Sequence, residues 1–283
     1  MISVTYILLV LSVILLWTKK DKIIFLTLGL SLISALTSNV ISFYGMFFLV
    51  VFSIIVKLTF QLTNYKTHYV TALKILIAIY AFALMFHILP GFSNYQILNK
   101  VYISPNAIPY SMYLNYNSLF VGVILIILNH NIKNTLGDNI KLSIIFGVIF
   151  GVISAIILGI IAFSFGFVEW DFKLTQITLI FLIQNLIFTC FYEEVFWRGY
   201  IQNSLNLYVN PSISIIITAL LFGSIHIIFA GLNFAILAFI AGIAYGACYA
   251  VSKRIESSIL CHYLVNVFQF IFVTYPILET AFK

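Results

Sequence analysis

Apolar runs broken by short polar connections fill the chain, near residues 4–18, 23–38, 41–56, 70–89, 114–128, 142–165, 175–200, 213–229, 233–251 and 258–279. A hydrocarbon layer about 30 Å thick takes roughly 20 apolar residues as a helix, whereas a membrane β-barrel shows short alternating segments, which are absent here. The pattern predicts an all-α, polytopic transmembrane helical bundle of about nine or ten membrane segments. The second and third runs are short and meet at Thr37-Ser38-Asn39, so one of them is a candidate re-entrant segment. The longest connection, Pro90 to Asn115, is punctuated by Pro105 and Pro109 and holds several tyrosines, as expected of a loop lying at the outer interface. It leads to a division into an N-terminal helical extension, 1–140, and a second region, 141–283.

Composition agrees with that picture. The 283 residues are 63% hydrophobic and 8% charged, against about a quarter charged in a soluble domain. The net charge of +6 is scattered through short connections and forms no basic face, so no nucleic-acid partner is expected. The basic residues serve better as topology markers. They collect at 19–22, at Lys57 and Lys66, at Lys133 and Lys141, at Arg198 and at Lys253-Arg254, which are alternate connections. The positive-inside rule then places those connections in the cytoplasm and the N-terminus outside. The first run is followed by Lys19-Lys20-Asp21-Lys22, with no basic stretch before it and no small-residue cleavage pattern after it, so it reads as a retained span. Cys190, Cys248 and Cys261 have no paired spacing, which argues against a disulfide framework and a thiolate zinc site. No internal repeat supports an inverted-repeat transporter. Gly147, Gly151, Ala155 and Gly159 recur every four residues and permit close helix approach. Packing inside the bundle is the preferred reading of this ladder, with a homo-oligomer seam as the alternative.

Against this background a few polar residues need explaining. Glu193 and Glu194 lie in an otherwise apolar and aromatic run, Phe191 to Tyr200, where an acidic residue costs about +3 kcal/mol at a helix centre. Arg198 follows Glu194 by one helical turn and can neutralise it, which makes that pair structural. Glu193 projects about 100° round the helix from Glu194, with no local cation, and is the candidate acid or base. If the chain reverses at Asn210-Pro211, Glu193 is 17 residues before Asn210 and His226 is 16 after it, so an antiparallel hairpin brings them to one level. His262 and Asn266 are four apart and share a helix face. With the last span entering near Ser257, His262 lies about 8 Å inside the boundary, and Glu193 and His226 roughly 10–15 Å deep.

A carboxylate, two imidazoles and an amide at one level form a kit for hydrolysis. Glu193 can take a proton from water that His226 holds in line, while His262 and Asn266 donate to the developing oxyanion. Ser224 and Cys261 diverge round their helices from His226 and His262, which weakens covalent catalysis. Two histidines and a glutamate with an open water position also form a known zinc arrangement, although no HExxH pair is present; the residues alone leave that choice open. A non-enzymatic alternative is a proton-coupled transporter using Glu193 and His226 as a relay, or an immunity protein acting by contact.

Glu193-Glu194-Val195-Phe196-Trp197-Arg198, Phe222-Gly223-Ser224-Ile225-His226 and His262-Tyr263-Leu264-Val265-Asn266 resemble, in order, the EExxxR, FxxxH and HxxxN motifs of the CPBP family of CAAX-type prenyl proteases and bacteriocin-processing (Abi) enzymes. The resemblance covers about 175–270 and leaves 1–140 unexplained. It implies a CAAX-prenyl-protease-like core and an intramembrane endopeptidase, with Glu193 and His226 activating water and His262 and Asn266 at the oxyanion. Family members are described both as metalloproteases and as metal-free enzymes; the metal-free reading is favoured. The positive-inside topology and the depths above make the expected site a cytoplasm-facing cavity in a multi-pass protein of the cell membrane. A bacterial peptide or membrane-protein substrate, in bacteriocin or signal-peptide maturation, immunity or CAAX-type processing, is the expectation.

Overall fold

A computed structural model describes residues 2–62 and 68–282; Lys66, used above as a topology marker, lies outside the described residues. Among these are ten helices and one two-stranded sheet. The helices are α1 (Ile2–Leu15), α2 (Asp21–Thr37), α3 (Phe43–Gln61), α4 (His68–Met85), α5 (Tyr116–Leu128), α6 (His130–Thr135), α7 (Ile140–Ser164), α8 (Gln176–Leu205), α9 (Pro211–Ser252) and α10 (Ile255–Phe272). Six of them, α3, α4 and α7 to α10, are long and apolar enough to cross a membrane. The chain is an all-α, polytopic helical bundle. Its two short runs at the start are both helices, α2 and α3. The connection from Pro90 is more than the interfacial loop expected above. It carries β1 (Tyr95–Val101) and β2 (Tyr110–Leu114), strands too short and too closely flanked by prolines to announce themselves as an alternating pattern.

The chain forms two compact units. One contains the residues up to Gln96, Tyr113–Gly137 and Phe191–Phe196. Hydroxyls stitch its first two helices: Thr5 Oγ1 lies 2.8 Å from Ser34 Oγ, Ser12 Oγ donates to Thr27 Oγ1 at 3.0 Å, and Ser31 Oγ donates to the Thr5 carbonyl at 3.0 Å. Such bonds replace the hydrophobic driving force that apolar surroundings withhold. The start of α5 is fixed by Asn94, whose Oδ1 accepts from Tyr116 N at 2.7 Å while its Nδ2 donates to Asn117 Oδ1 at 2.8 Å.

The other unit contains Ile97–Met112, Asp138–Cys190 and the chain from Trp197 on. Here the glycine ladder of α7 meets α10: a Cβ on Gly147 would lie 2.8 Å from Leu260 Cβ, one on Gly151 2.9 Å from Leu264 Cδ1, and one on Gly159 2.9 Å from Phe268 Cε1. Packing within the bundle is therefore what these small residues do. Helix α9 is two antiparallel arms joined at Gly231, whose φ of 80° and ψ of 176° only glycine adopts readily. The arms touch through Gly223 against Ala235, Ala219 against Gly242 and Ile215 against Gly246, so the boundaries read at 213–229 and 233–251 mark real helical arms. At the Gly231 end, three strips of irregular chain form a cap. Ile108 N donates to the Ile277 carbonyl at 3.0 Å, Leu278 N to the Phe167 carbonyl at 3.0 Å, and Lys173 Nζ to the Val273 carbonyl at 2.6 Å. Burial pushes the Lys173 ammonium below its ordinary pKa, an effect partly offset by Asp171 at 2.9 Å.

Candidate active site

Helix α8 carries the first motif and is not uniformly wound. Leu186–Phe191 and Val195–Gln202 are π-helical, flanking a single α-turn at Tyr192–Glu194. Wider i→i+5 turns are often found at functional sites. Their consequence is concrete: the one-turn spacing expected between Glu194 and Arg198 presumed regular α-winding, and Arg198 lies in the more loosely wound stretch.

Within the second unit, Phe222 is the hub. It is buried, and round its ring stand the guanidinium of Arg198 with Cζ 4.9 Å from the centroid, Trp197 edge-on at 6.0 Å, the imidazoles of His226 and His262 at 4.8 and 5.9 Å, and Tyr245 edge-on at 6.1 Å. Tyr245 forms a second wall, stacked on His262 at 4.5 Å and with Arg198 Cζ 5.1 Å from its centroid. Two aromatic faces thus hold a buried guanidinium beside two imidazoles. The Arg198 charge is also bonded directly, through Nη2 donating to the Gly242 carbonyl at 3.0 Å. That approach depends on the small residues where the α9 arms meet.

The two histidines are held differently. His226 Nδ1 lies 2.7 Å from the Phe222 carbonyl. A carbonyl only accepts, so Nδ1 carries the proton and Nε2 of the neutral ring is an acceptor. His226 is half-buried and His262 almost wholly buried. Asn266, one turn on from His262, donates from Nδ2 to Asn185 Oδ1 at 3.2 Å and lies 3.6 Å from Cys190 Sγ; Cys190 Sγ in turn is 3.2 Å from Asn185 Oδ1. The hairpin between α8 and α9 has the anticipated register, with Asn206 bonded to Ser214 at 2.5 Å and Trp197 against Phe222.

His226, His262 and Arg198 therefore gather on one aromatic hub, with Asn266 on the same helix as His262. Glu193 and Glu194 belong to the other unit, half-buried and fully buried respectively. Their turn is seated against α5 at Gly122, where an added Cβ would come within 3.2 Å of Tyr192 Cβ. Sequence reasoning assigned no role to Tyr245, Asn185 or Cys190. Of these only Asn185 left a signal, as an amide beside Gln184 in an otherwise apolar run. Among the described residues no three His, Cys, Asp or Glu side chains gather as a metal ion requires.

The fold and this polar cluster define a class: a multi-pass helical membrane protein with histidines, an arginine and amides buried among its spans. The family follows from comparison. Residues 175–268 match the family described as type II CAAX prenyl endopeptidase Rce1-like, which bears out the resemblance read from the three motifs. At family level this supports a CAAX-type intramembrane endopeptidase, a hydrolase, over the matched segment. Searches of curated proteins and of solved structures returned no match.

Proposed function

We propose that the protein hydrolyses a peptide bond in a membrane-associated peptide or protein without a metal ion. Glu193 takes one proton of a water molecule whose other hydrogen is held by His226 Nε2, and the water oxygen attacks the carbonyl carbon. His262 and Asn266 donate to the resulting oxyanion, whose charge is strongly stabilised by placed dipoles in a dry site. When the intermediate collapses, the carbon–nitrogen bond breaks and the leaving amine takes the proton back from Glu193. The observation that carries this reading is the bond from His226 Nδ1 to the Phe222 carbonyl, because it leaves the neutral ring one acceptor, as water-holding requires. Asn266 has to release its long contact with Cys190 to turn one N–H toward the substrate. Glu193 and His226 stand 17 and 16 residues from Asn210, the equal spacing that suggests their pairing.

The proposed substrate is a bacterial peptide or membrane protein, as in bacteriocin or signal-peptide maturation, reached in the cell membrane from the cytoplasmic side. Purified protein in detergent, incubated with candidate peptides, tests the reading. Cleavage should persist in a strong chelator and disappear in His226→Ala and His262→Ala variants that still fold. Stoichiometric metal with chelator-sensitive cleavage overturns the metal-free step. Full biological activity in both variants overturns the protease itself and favours a contact-acting immunity protein or transporter.

A further inference from the structure

The helical extension outside the family match has a groove of its own. A cavity of about 360 Å³ opens between α2, α3 and α5, with walls that include Phe25, Gly29 and Leu32 from α2, Ser53 and Lys57 from α3, and Phe120 from α5. Its lining is almost entirely apolar except at one end. Helices α2 and α3 are joined by a short connection after Thr37, so Lys57, near the end of α3, lies at the end where α2 begins. Lys19, Lys20 and Lys22 are at that same end, where Lys133 is already paired with Asp21. From Phe25 to Leu32 the groove follows α2 for about 10 Å. Gly29 keeps it open, since a Cβ built there meets no atom within 4 Å.

We propose that this groove is a binding site for one anionic membrane phospholipid, with an acyl chain lying along α2 and α3 and the phosphate at Lys57. An apolar slot accepts a hydrocarbon chain of any lipid. Lys57, the charged residue in the lining, selects for negative charge at the mouth. The groove would then anchor a charged lipid on the extension whatever reaction the remainder of the chain performs.

Native mass spectrometry of the full chain tests this. The protein is released from detergent after equilibration with equal amounts of palmitoyl-oleoyl phosphatidylglycerol and palmitoyl-oleoyl phosphatidylcholine. The wild type should retain one phosphatidylglycerol in preference by about fivefold, the size of one surface lysine acting on an anionic headgroup. Lys57→Gln should bring the ratio near unity while some lipid is still retained, and Gly29→Phe, which fills the slot from its open side, should lose both lipids. High salt should weaken the wild-type preference and leave Lys57→Gln unchanged. A wild-type ratio near unity, or the same retained lipid in the wild type and both variants, overturns the proposal. Because Lys57→Gln removes no packed side chain, it keeps the test valid should Gly29→Phe fail to fold.

Discussion

Arg198 is a tightly held charge: fully buried, set between Phe222 and Tyr245, and bonded to the Gly242 carbonyl. Truncation to alanine removes a charge-assisted bond in the interior and leaves two aromatic faces without their cation, a loss of about 2 kcal/mol. Arg198→Ala should therefore lower the yield of folded protein together with activity, read by size-exclusion recovery and melting temperature; a stable but inactive variant would instead place Arg198 in the chemistry. Asn185 should behave in the opposite way. Its bond to Asn266 is a single interhelical contact, worth about 0.6 kcal/mol in a membrane interior. Asn185→Ala should keep the melting temperature near that of the wild type and lower kcat while KM stays constant, because it frees the amide proposed to face the oxyanion. The polar residues of the motifs were legible in the sequence because charge and amide groups are costly among apolar neighbours. Phe222 as hub and Tyr245 as wall were not, because an aromatic residue in an aromatic-rich chain carries no such signal.

Helix positions were readable where hydropathy is uninterrupted, and helix winding was not. The two π-helical stretches of α8 leave the apolar pattern intact, so that pattern conceals the wider winding that carries the chain from Glu194 to Arg198. The β1–β2 pair was concealed for a different reason: Met112 is buried with Phe181 and Phe270, so the strands gain their stability from packing on helices and not from an alternating pattern of their own. Gly231 is the element-level feature most open to test. It joins the two arms of α9 at φ 80°, ψ 176°, a region where a Cβ costs about 1–3 kcal/mol. Gly231→Ala should lower the melting temperature by several degrees or yield no folded protein. An unchanged melt would mean that the reversal at this residue is absent in solution.

At the scale of the whole molecule, spans at regular intervals and three motifs in order were enough to indicate a polytopic membrane protease, and the match over 175–268 agrees with that at family level. The extension before α7 was legible only as apolar helices, since its hydroxyl contacts and its groove depend on which helix faces meet. The proposed orientation makes a direct prediction. All three native cysteines are buried, so Asn210→Cys should react with an impermeant thiol reagent only from the cytoplasmic side, and Gly166→Cys only from the opposite side; the reverse pattern would turn the site toward the exterior. Activation of water by a carboxylate on α8 is read from the cleavage rate of Glu193→Gln, which keeps the shape of the side chain and removes its basicity. Its kcat should fall roughly a hundredfold to ten-thousandfold with folded protein at the wild-type level. Cleavage within a few-fold of the wild type would contradict it.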